Sequence, residues 1–581
     1  MASRNSCNMW VFREGRSTAS GKTSLAELQA SLPAHASPSH DRLVDALLRA
    51  GELECALADA DAADAPLAAS INSSVAAALV GLPGSLAGLR AARKTLERIS
   101  VPDVITVSPP EGFAYYAVHP LDFADLADSA PLPESQAALI GIRSIGTTLS
   151  AVVAAALQRR GARAERITVR PVGHPYDRRT TFSPDQLRWI GARRAAAAEF
   201  LVVDEGPGIS GSSFLSVGDA LLAAGIARER ITFLCSRYAD PESLAARDGA
   251  SRWRSFHSKV VESTRRTPAD RGPYMGGGEW RQRFYGEESH WPSSWTQMER
   301  LKFLSRDERR MFKFHGIGRF GSTVADRARR LGEAGFGPRL VAHSCGFSEL
   351  EMVEGRPMNA ARVSAAVLER VADYCALRAV EFESARTQPS QLDAMVRFNV
   401  GEEFGSRMAS GVPPLPTERL VIADGRMLPH EWISTPAGAL IKTDGATHGD
   451  DHFFPGPVDI AWDLAGAIVE WGMTSAAAHF MLAHYRKRSG DDVSSRVEAY
   501  LLAYSVFRMA YCAMAAFSMR GSQEETRLRY ATAHYRNLVE AELKAPGLRP
   551  QASGERNPQW RQRTGKVESA LALGDGGANP R

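Results

Sequence analysis

The stretch FLVVDEGPGISGSS, residues 200–213, decides the expected fold of the first half of this chain of 581 residues. Its first four residues are apolar and predict a buried strand that ends at two adjacent carboxylates, Asp204 and Glu205. A loop of glycines and serines then leads into the helical pattern of residues 214–225. Free backbone N–H groups and the positive end of the helix dipole favour phosphate at such a loop. The stretch therefore predicts a sugar-phosphate site at the end of a strand.

Each residue type in this stretch has a role in such a site. Glycine lets the backbone approach a phosphate closely, and serine hydroxyls can donate to phosphate oxygens. Asp204 and Glu205 are placed to accept hydrogen bonds from two ribose hydroxyls, directly or through Mg²⁺ and its waters. The residues of the loop that we expect to hold the phosphate are Gly208, Ser210, Gly211, Ser212 and Ser213.

Strand and helix patterns alternate on both sides of this stretch. Apolar runs that predict strands begin near residues 136, 164, 199 and 231, and helical patterns separate them. Strands that alternate with helices in this way form βαβ units, whose strands are parallel. The sequence therefore predicts an α/β domain built on a parallel sheet.

At these residues the chain resembles the type I phosphoribosyltransferases, in which an apolar strand, two acids and a Thr-Gly-x-Thr loop follow one another. Here serines replace the threonines, the loop is one residue longer, and the second acid is glutamate. The segment GIRSIGTT, residues 141–148, lies where that family has its pyrophosphate loop. The segment RPVGHPYDRRTTF, residues 170–182, lies where the family has its basic mobile loop. The resemblance covers residues 130–240.

This resemblance implies displacement at the ribose C1 of 5-phosphoribosyl-1-pyrophosphate (PRPP), with Mg²⁺ and basic side chains neutralising the departing pyrophosphate. Asp204 and Glu205 would be catalytic and metal-binding, together with the catalytic basic residues His174, Arg178 and Arg179. The PRPP-binding residues of the first loop would be Arg143, Ser144, Gly146 and Thr147. Residues before 130 would form a hood over the base, where EGFAYYAVHPLDF (111–123) offers aromatic rings for stacking.

The second half carries a different series of motifs. RMFKFHG (310–316) predicts a strand that carries Lys313, and a helix follows it. EMVEGRPM (351–358), VIADGRMLPHEW (421–432), the hairpin ISTPAGALIKTD (433–444) and DIAWDLA (459–465) come later. This order resembles the aminoglycoside-phosphotransferase branch of the protein-kinase-like fold. The resemblance implies a bilobal α+β domain in which Lys313 binds ATP and Asp424 is the catalytic residue. His430 or Glu431 would lie near the position of the family's asparagine. Asp444 would bind the metal, and Asp463 would be structural.

The second half also departs from that family. The HGDxxxxN box lacks its His-Gly and its asparagine, and Asp424 lies two residues too far from Glu431. The following helix offers Lys313 no convincing glutamate partner, and Asp326 is the nearest acid on it. A degenerate domain that only binds ligand is therefore an equal alternative to an active kinase. HGDDH (448–452) is either a metal-ligating loop or a solvated acidic turn, and the sequence favours neither.

Two other motifs do not carry a function. GRSTASGKTS (15–24) approaches a phosphate-binding P-loop, but its spacing is wrong by one residue, which favours a polar loop with a helix cap. GIGRFG (316–321) fits the dinucleotide pattern, but the next strand ends without the acid that would bind the ribose.

Composition excludes several classes of protein. The chain is 44% hydrophobic and 23% charged, as expected of a globular protein. A net charge of +4 is too weak to indicate a nucleic-acid partner, and no apolar run is long enough for a membrane span. Six scattered cysteines without a CxxC pair disfavour zinc and disulfides and predict a cytoplasmic location.

These observations predict five segments: a hood (1–130), a phosphoribosyltransferase-like core (131–260), a linker (261–294), a kinase-like domain (295–545) and a disordered tail (546–581). The main hypothesis is a bifunctional enzyme that uses Mg²⁺, PRPP and, in its second half, ATP. The alternatives are a regulatory protein that senses PRPP or a nucleotide without turnover, and a nucleoside-phosphate hydrolase. Small molecules are the expected partners, and a homodimer is left open.

Overall fold

The computed structural model describes residues 7–11, 16–32, 38–129, 136–174, 176–208, 210–261, 266–384 and 391–544. These residues form a mixed α/β structure that contains two five-stranded sheets, one parallel and one antiparallel. The predicted disordered tail, 546–581, lies outside the described residues.

The region before residue 130 is mostly helical. Its elements are β1 (Ser17–Ser20), α1 (Gly21–Ser31), α2 (His40–Asp59), α3 (Ala65–Leu79), α4 (Ser85–Leu96), β2 (Val104–Val107), α5 (Glu111–Ala114) and α6 (Pro120–Ser129). β1 and β2 pair in antiparallel register, and α2 and α3 pack against each other. The predicted hood is thus a helical layer over the next region.

The next region is the predicted parallel sheet, and the structure confirms the sheet. Its elements are β3 (Gln136–Ile142), α7 (Ile145–Arg159), β4 (Arg163–Val169), β5 (Val172–His174), β6 (Asp177–Arg179), α8 (Pro184–Ala195), β7 (Glu199–Val203), α9 (Ser212–Ala223), β8 (Ile231–Cys235), α10 (Gly249–Arg254) and β9 (His257–Val260). The strand order is β4-β3-β7-β8-β9, and every neighbouring pair is parallel. The strand order reverses between β3 and β7, which is where ligands bind in open α/β sheets.

Burial explains why these segments fold as they do. β3 and β7 are nearly continuous apolar runs, as strands covered on both faces must be. α7 is buried over Ile145–Leu157, because it lies between the sheet and the helices α2, α3 and α6. α8 begins at Ser183, whose side chain accepts from the N–H of Gln186 in a capping box.

The region after residue 266 combines an antiparallel sheet with a helical lobe. Its elements are β10 (Arg271–Tyr274), α11 (Trp280–Phe284), β11 (Lys302–Ser305), β12 (Arg310–Phe314), α12 (Gly318–Glu333), β13 (Leu340–Ser344), β14 (Phe347–Glu351), β15 (Arg356–Pro357), α13 (Ala365–Glu381), α14 (Leu392–Phe404), α15 (Ser406–Ser410), β16 (Leu420–Val421), β17 (Trp432–Ser434), β18 (Leu440–Lys442), β19 (Val458–Asp459), α16 (Ala461–Glu470), α17 (Ser475–Ser489), α18 (Val497–Ser518) and α19 (Gln523–Leu543). The order in the antiparallel sheet is β10-β11-β12-β14-β13. The predicted hairpin of residues 433–444 is present as β17 and β18.

The two halves share a hydrophobic core. Buried residues of α2, α3, α7 and β3 form one cluster with Phe303, Phe312 and Phe314 of the antiparallel sheet. The opposite face of the parallel sheet has a core of its own, and a third core fills the helical lobe. The hood therefore packs against both sheets and fixes them relative to each other.

The structure differs from the sequence prediction at the segment 261–294, which was expected to be a linker. β10, in this segment, pairs with β11 and forms the edge of the antiparallel sheet. Its Pro/Gly content is that of an edge strand and the loop after it.

α18 is long and apolar enough to span a membrane by composition, but 72% of its most apolar window is buried inside the protein. It packs against α16 and α19 as a core helix.

Candidate functional sites

The first candidate site lies at the carboxyl ends of β3 and β7, where the strand order reverses. Asp204 and Glu205 follow β7, and the loop of residues 143–146 follows β3. The two loops touch, since a Cβ on Gly146 would lie 2.4 Å from the carbonyl oxygen of Val203 and 3.2 Å from Oδ1 of Asp204. Only glycine permits this approach. The structure thus brings together the acidic pair and the first loop that the sequence predicted.

The acidic pair has strongly perturbed pKa values. Burial, together with the charge of Glu205, raises the pKa of Asp204 to about 8, although the backbone amides of Glu205 and Gly146 act in the opposite direction. Burial and the nearby charge of Glu111 raise the pKa of Glu205 to about 7, with Arg237 opposing the shift. Among the described residues no lysine or arginine forms an ion pair with Asp204 or Glu205. Half-buried carboxylates without a cation fit a divalent metal or sugar hydroxyls.

The loop after β3 has a strained backbone. Ser144 has φ 118° and ψ −117°, a region that residues other than glycine rarely occupy. It directly precedes α7, so the N–H groups of the first turn of that helix open beside Asp204. Strain of this kind is concentrated at ligand-binding sites and supports the prediction that this loop holds an anion.

The predicted basic residues lie in two different places. Arg143 donates to Oδ1 of Asp59 at 3.1 Å, so part of its charge is compensated by the hood. His174, Arg178 and Arg179 lie on the hairpin β5–β6, and His174 and Arg179 are exposed. The described contacts do not bring these three side chains to Asp204 or Glu205. For these three side chains to bind pyrophosphate beside Asp204, the hairpin β5–β6 would have to move.

Sequence reasoning missed the cation that does approach the pair. Arg170 lies directly after β4, forms an ion pair with Asp59, and lowers the pKa of Asp204 by its charge. Its guanidinium also donates to the carbonyl oxygen of Arg143 at 3.1 Å. The arginine opens the segment RPVGHPYDRRTTF, but nothing in the sequence indicates that Asp59, more than a hundred residues away, orients it.

The glycine and serine loop after Glu205 is arranged around the start of α9. The N–H of Ser212 donates to Oγ of Ser210 at 3.2 Å, and the two hydroxyls are 3.0 Å apart. Gly208 and Gly211 have φ +59° and +70°, which suits glycine at both positions. Ser213 is half-buried, and Thr147 on the first loop is fully buried with its hydroxyl unpartnered among the described residues.

The second candidate site is a cleft of about 190 Å³ between the antiparallel sheet and the helical lobe. Lys313 projects from the central strand β12 and donates to Oδ1 of Asp444 at 2.5 Å. Burial lowers the pKa of Lys313. Burial alone would raise the pKa of Asp444, but the charge of Lys313 outweighs it and holds that pKa well below its usual range. Lys313, Glu431 and Asp444 all line this cleft, as expected from the sequence. The partner of Lys313 is Asp444, and the helix residue Asp326 pairs with Arg329 instead.

Asp424, predicted to be catalytic, does not line this cleft itself, and its catalytic role stays a prediction. Its side chain is fully buried, and it accepts from the hydroxyl of Tyr374 at 2.5 Å and lies 3.2 Å from Nζ of Lys442. Its backbone N–H donates to Asp463 at 2.8 Å, and that of Gly425 donates to the same carboxylate at 3.1 Å. Asp463 therefore has the structural role that the sequence predicted. The residue of this loop that faces the cleft is Arg426.

Three potential metal ligands, Asp424, Glu431 and His448, have ligand atoms within 4.8 Å of one another. A lysine already occupies this group, since Nζ of Lys442 is 2.6 Å from Oε2 of Glu431 and 3.2 Å from Asp424. The ammonium group therefore supplies the positive charge that a metal would bring, and this group does not fit a metal as arranged. Burial nevertheless raises the pKa of Glu431 to about 7. Asp444 and Glu431 are the predicted ligands that reach the cleft itself.

The HGDDH loop divides between the two sites. Nε2 of His448 is 3.8 Å from Oδ2 of Asp444, inside the second site. Asp450 pairs with Arg327 at 3.2 Å, and Asp451 lines the cleft. Nδ1 of His452 is 3.3 Å from Oε2 of Glu111 in the hood. The loop is thus a partly buried connection and not a solvated turn.

Residues 111–116 connect the two sites. A Cβ on Gly112 would lie 2.7 Å from Oε2 of Glu205, so the backbone of α5 lies directly against the first site. The hydroxyl of Tyr116 is 3.1 Å from Nδ1 of His452. The ring of Tyr115 lies beneath the guanidinium of Arg300, which lines the second site. These aromatic residues, predicted to stack on a base, make their described contacts with the second half.

The two remaining motifs have structural roles. The GIGRFG segment begins α12, and the N–H of Arg319 donates to Asp45 of α2 at 2.9 Å, so the hood occupies the start of that helix. Close packing explains its last glycine, since a Cβ on Gly321 would lie 1.7 Å from the carbonyl oxygen of Gly316. In the GKTS segment Lys22 is exposed and pairs with Asp103 at 2.9 Å.

No protein-family model and no curated protein sequence matches the chain. Solved structures are similar to part of it. The choline kinase LicA from Streptococcus pneumoniae is 14% identical, with 41% of this chain and 89% of that one covered at a TM-score of 0.30. An ethanolamine kinase from Plasmodium vivax is 10% identical over 43% and 79% of the chains at a TM-score of 0.31. The macrolide 2'-phosphotransferase MphH from Brachybacterium faecium is 15% identical over 43% and 89% at a TM-score of 0.27. At these scores the similarity by itself supports no conclusion about activity.

Proposed function

We propose that the second half of the chain is a phosphotransferase-like domain that binds a nucleotide with Mg²⁺ and acts on a small molecule. The observation that carries this proposal is the ion pair of 2.5 Å between Lys313 of β12 and Asp444 after the hairpin β17–β18, across an open cleft. A lysine on a sheet strand binds nucleotide phosphates, and an aspartate after a hairpin binds their metal, in kinase-like sites. Asp463 supports the same reading by holding the loop of residues 424–426.

Nucleotide binding tests this proposal directly. Calorimetry with the non-hydrolysable analogue AMP-PNP and Mg²⁺ should show one site, and Lys313→Met and Asp444→Asn should each weaken binding by roughly tenfold or more. Lys22→Met is the matched control, because Lys22 also forms a lysine–aspartate pair, lies on the near-miss GKTS segment and is exposed. Binding that survives in Lys313→Met, or that is lost in Lys22→Met, would contradict the proposal.

A second function is proposed for the first half: binding of PRPP at Asp204 and Glu205. The specific observation in its favour is the uncompensated carboxylate pair at the reversal of strand order, beside the strained residue Ser144. Calorimetry of PRPP with Mg²⁺ tests it on the wild type and on Asp204→Asn/Glu205→Gln. Binding that disappears in the double variant supports the site. Equal binding in both proteins, or none in either, leaves only a parallel-sheet domain of undefined use.

Turnover separates an enzyme from a sensor. Phosphoribosyl transfer must release pyrophosphate, and phosphotransfer must release nucleoside diphosphate, whereas a regulatory protein binds both ligands without releasing either. The buried position of Asp424 favours the sensor for the second half. The cytoplasmic location and the homodimer remain predictions from the sequence.

A further inference from the structure

Arg426 holds the most exposed uncompensated charge in the second site. Its guanidinium lies over the ring of Tyr511, 4.4 Å from the centroid, and lines the cleft. Within the described part of the chain it makes no side-chain hydrogen bond or ion pair. Arg508 lines the same cleft but pairs with Glu470 at 2.9 Å and with the hydroxyl of Tyr535. The protein therefore supplies hydrogen-bond and ion-pair partners for the guanidinium group of Arg508, but none for that of Arg426 among the described residues.

Local packing holds Arg426 in this position. Asp463 fixes the backbone on its N-terminal side through the N–H groups of Asp424 and Gly425. On the other side, Nε1 of Trp471 donates to the carbonyl oxygen of Met427 at 3.1 Å. A residue fixed on both sides presents its side chain with little conformational freedom left to lose on binding.

A second guanidinium in the cleft also lacks partners. Arg300 is only 7% exposed, and one of its nitrogens donates to the carbonyl oxygen of Ala114 at 3.2 Å. Its Nε and Nη2 are buried and have no hydrogen-bond partner among the described residues. Its charge helps to lower the pKa of Lys313. Burying a guanidinium without a counter-ion is costly, so an anion in the cleft would stabilise this arrangement through its charge, without a hydrogen bond to these two enclosed nitrogens.

The other cations of the cleft are compensated within the protein. Lys302 pairs with Glu299 at 3.3 Å, and Lys313 pairs with Asp444. Among the described residues that line the cleft, only the arginines Arg300 and Arg426 lack an ion-pair partner, although the charge of Asp451 acts on Arg426. Guanidinium groups bind phosphate through paired hydrogen bonds, and they match its geometry better than a lysine does.

We propose that the second ligand of this cleft is a phosphorylated small molecule, a phosphomonoester held by Arg426 beside the nucleotide, with the charge of Arg300 in the wall of the same cleft. This inference rests on the proposed nucleotide site and adds the chemical class of the other substrate. Arg426 determines specificity in this arrangement, since it selects an anion where a carboxylate would select a cation. The aromatic rings of Tyr511 and Tyr115 lie against the guanidinium groups of Arg426 and Arg300.

Calorimetry on the full chain with glycerol 3-phosphate tests this inference, with glycerol as the uncharged comparison. Titrations are made with and without saturating AMP-PNP and Mg²⁺, in the Asp204→Asn/Glu205→Gln background so that the first site does not contribute. We expect glycerol 3-phosphate to bind in both conditions and glycerol not to bind. Arg426→Met should weaken binding by roughly tenfold, and Arg426→Lys should weaken it less, since it keeps the charge without the paired donors.

The matched control is Arg520→Met, because Arg520 also lies on an aromatic ring, that of Phe517, but outside the cleft. Circular dichroism confirms that each variant is folded. Absence of glycerol 3-phosphate binding, or equal binding in Arg426→Met, overturns the inference. Displacement by AMP-PNP also overturns it, because the arginines would then belong to the nucleotide subsite. Failure of AMP-PNP itself to bind is read in a separate titration and counts against the nucleotide site alone.

Discussion

The two acidic sites of this protein differ in how their negative charge is balanced. In the second half a lysine or arginine accompanies each of four carboxylates: Lys313 lies 2.5 Å from Asp444, Lys442 lies 2.6 Å from Glu431 and 3.2 Å from Asp424, and Arg378 lies 3.4 Å from Asp463. In the first site no described lysine or arginine pairs with Asp204 or Glu205, and their pKa values rise to about 8 and 7.

This difference indicates which of the two sites requires a bound metal or ligand to neutralise its carboxylates. A carboxylate group that carries its own lysines is stable while empty and has little use for an added metal at the same atoms. A half-buried pair without cations is stable only when protonated or when a metal or ligand neutralises it. We therefore expect the first site to respond to pH and to Mg²⁺, and the internal pairs of the second site to respond less to Mg²⁺.

The largest expected effect comes from removing the internal cation of the second site. Lys442→Met keeps the length of a fully buried side chain but leaves Asp424 and Glu431 without their partner. Breaking a buried ion pair on one side costs about 3–5 kcal/mol, so the free energy of unfolding should fall by that amount in urea denaturation. Lys22→Met, at an exposed pair, should change it by less than about 1 kcal/mol. Similar small losses in both variants would show that Lys442 does not balance the site.

The second prediction is a gain in the free energy of unfolding, opposite in sign to the loss expected for Lys442→Met. The folded-state pKa values of Asp204 and Glu205 lie above those of the unfolded chain, so ionisation opposes folding. The free energy of unfolding should therefore fall as pH rises from about 4 to about 8. Asp204→Asn/Glu205→Gln removes this penalty and should stabilise the ligand-free protein by roughly 1–3 kcal/mol at pH 8, with no gain near pH 4. Thermal unfolding of both proteins across this range measures it, and a gain that is independent of pH would contradict the pKa assignment.

Sequence reasoning located the first site more fully than the second. The apolar run before Asp204, the alternation of strands and helices and the small residues at 146 and 211 are local signals, and the structure has the parallel sheet that they predict. The role of Arg170 depends on Asp59, and the contact of Gly112 with Glu205 depends on packing of the hood; neither leaves a local pattern. In the second half the motif order placed Lys313 and Asp444 correctly in one cleft. It could not show that Asp424 is enclosed by Tyr374 and Lys442, because such burial is a tertiary property.

The smallest expected effect tests whether the two sites influence each other electrostatically. The carboxylate of Glu111 contacts His452 of the HGDDH loop, and its charge raises the pKa of Glu205. Burial raises the pKa of Glu111 itself to about 7, so both carboxyl groups change charge in the same range. Glu111→Gln removes one negative charge and should lower the pKa of Glu205. At pH 8 it should stabilise the ligand-free protein by less than about 1 kcal/mol, since only the repulsion between two carboxylates is removed.

Differential scanning calorimetry at pH 5 and pH 8 measures this gain, and Glu97→Gln, at an exposed position, is the control. Glu111→Gln also replaces the carboxylate beside His452 with a neutral amide, which costs stability at both pH values if that contact is strong. A gain confined to pH 8 would mean that repulsion at the first site outweighs the contact with the second. A loss at both pH values would mean that Glu111 serves mainly to hold the HGDDH loop, and that the charge balance of the first site is set by Asp204 and Glu205 alone.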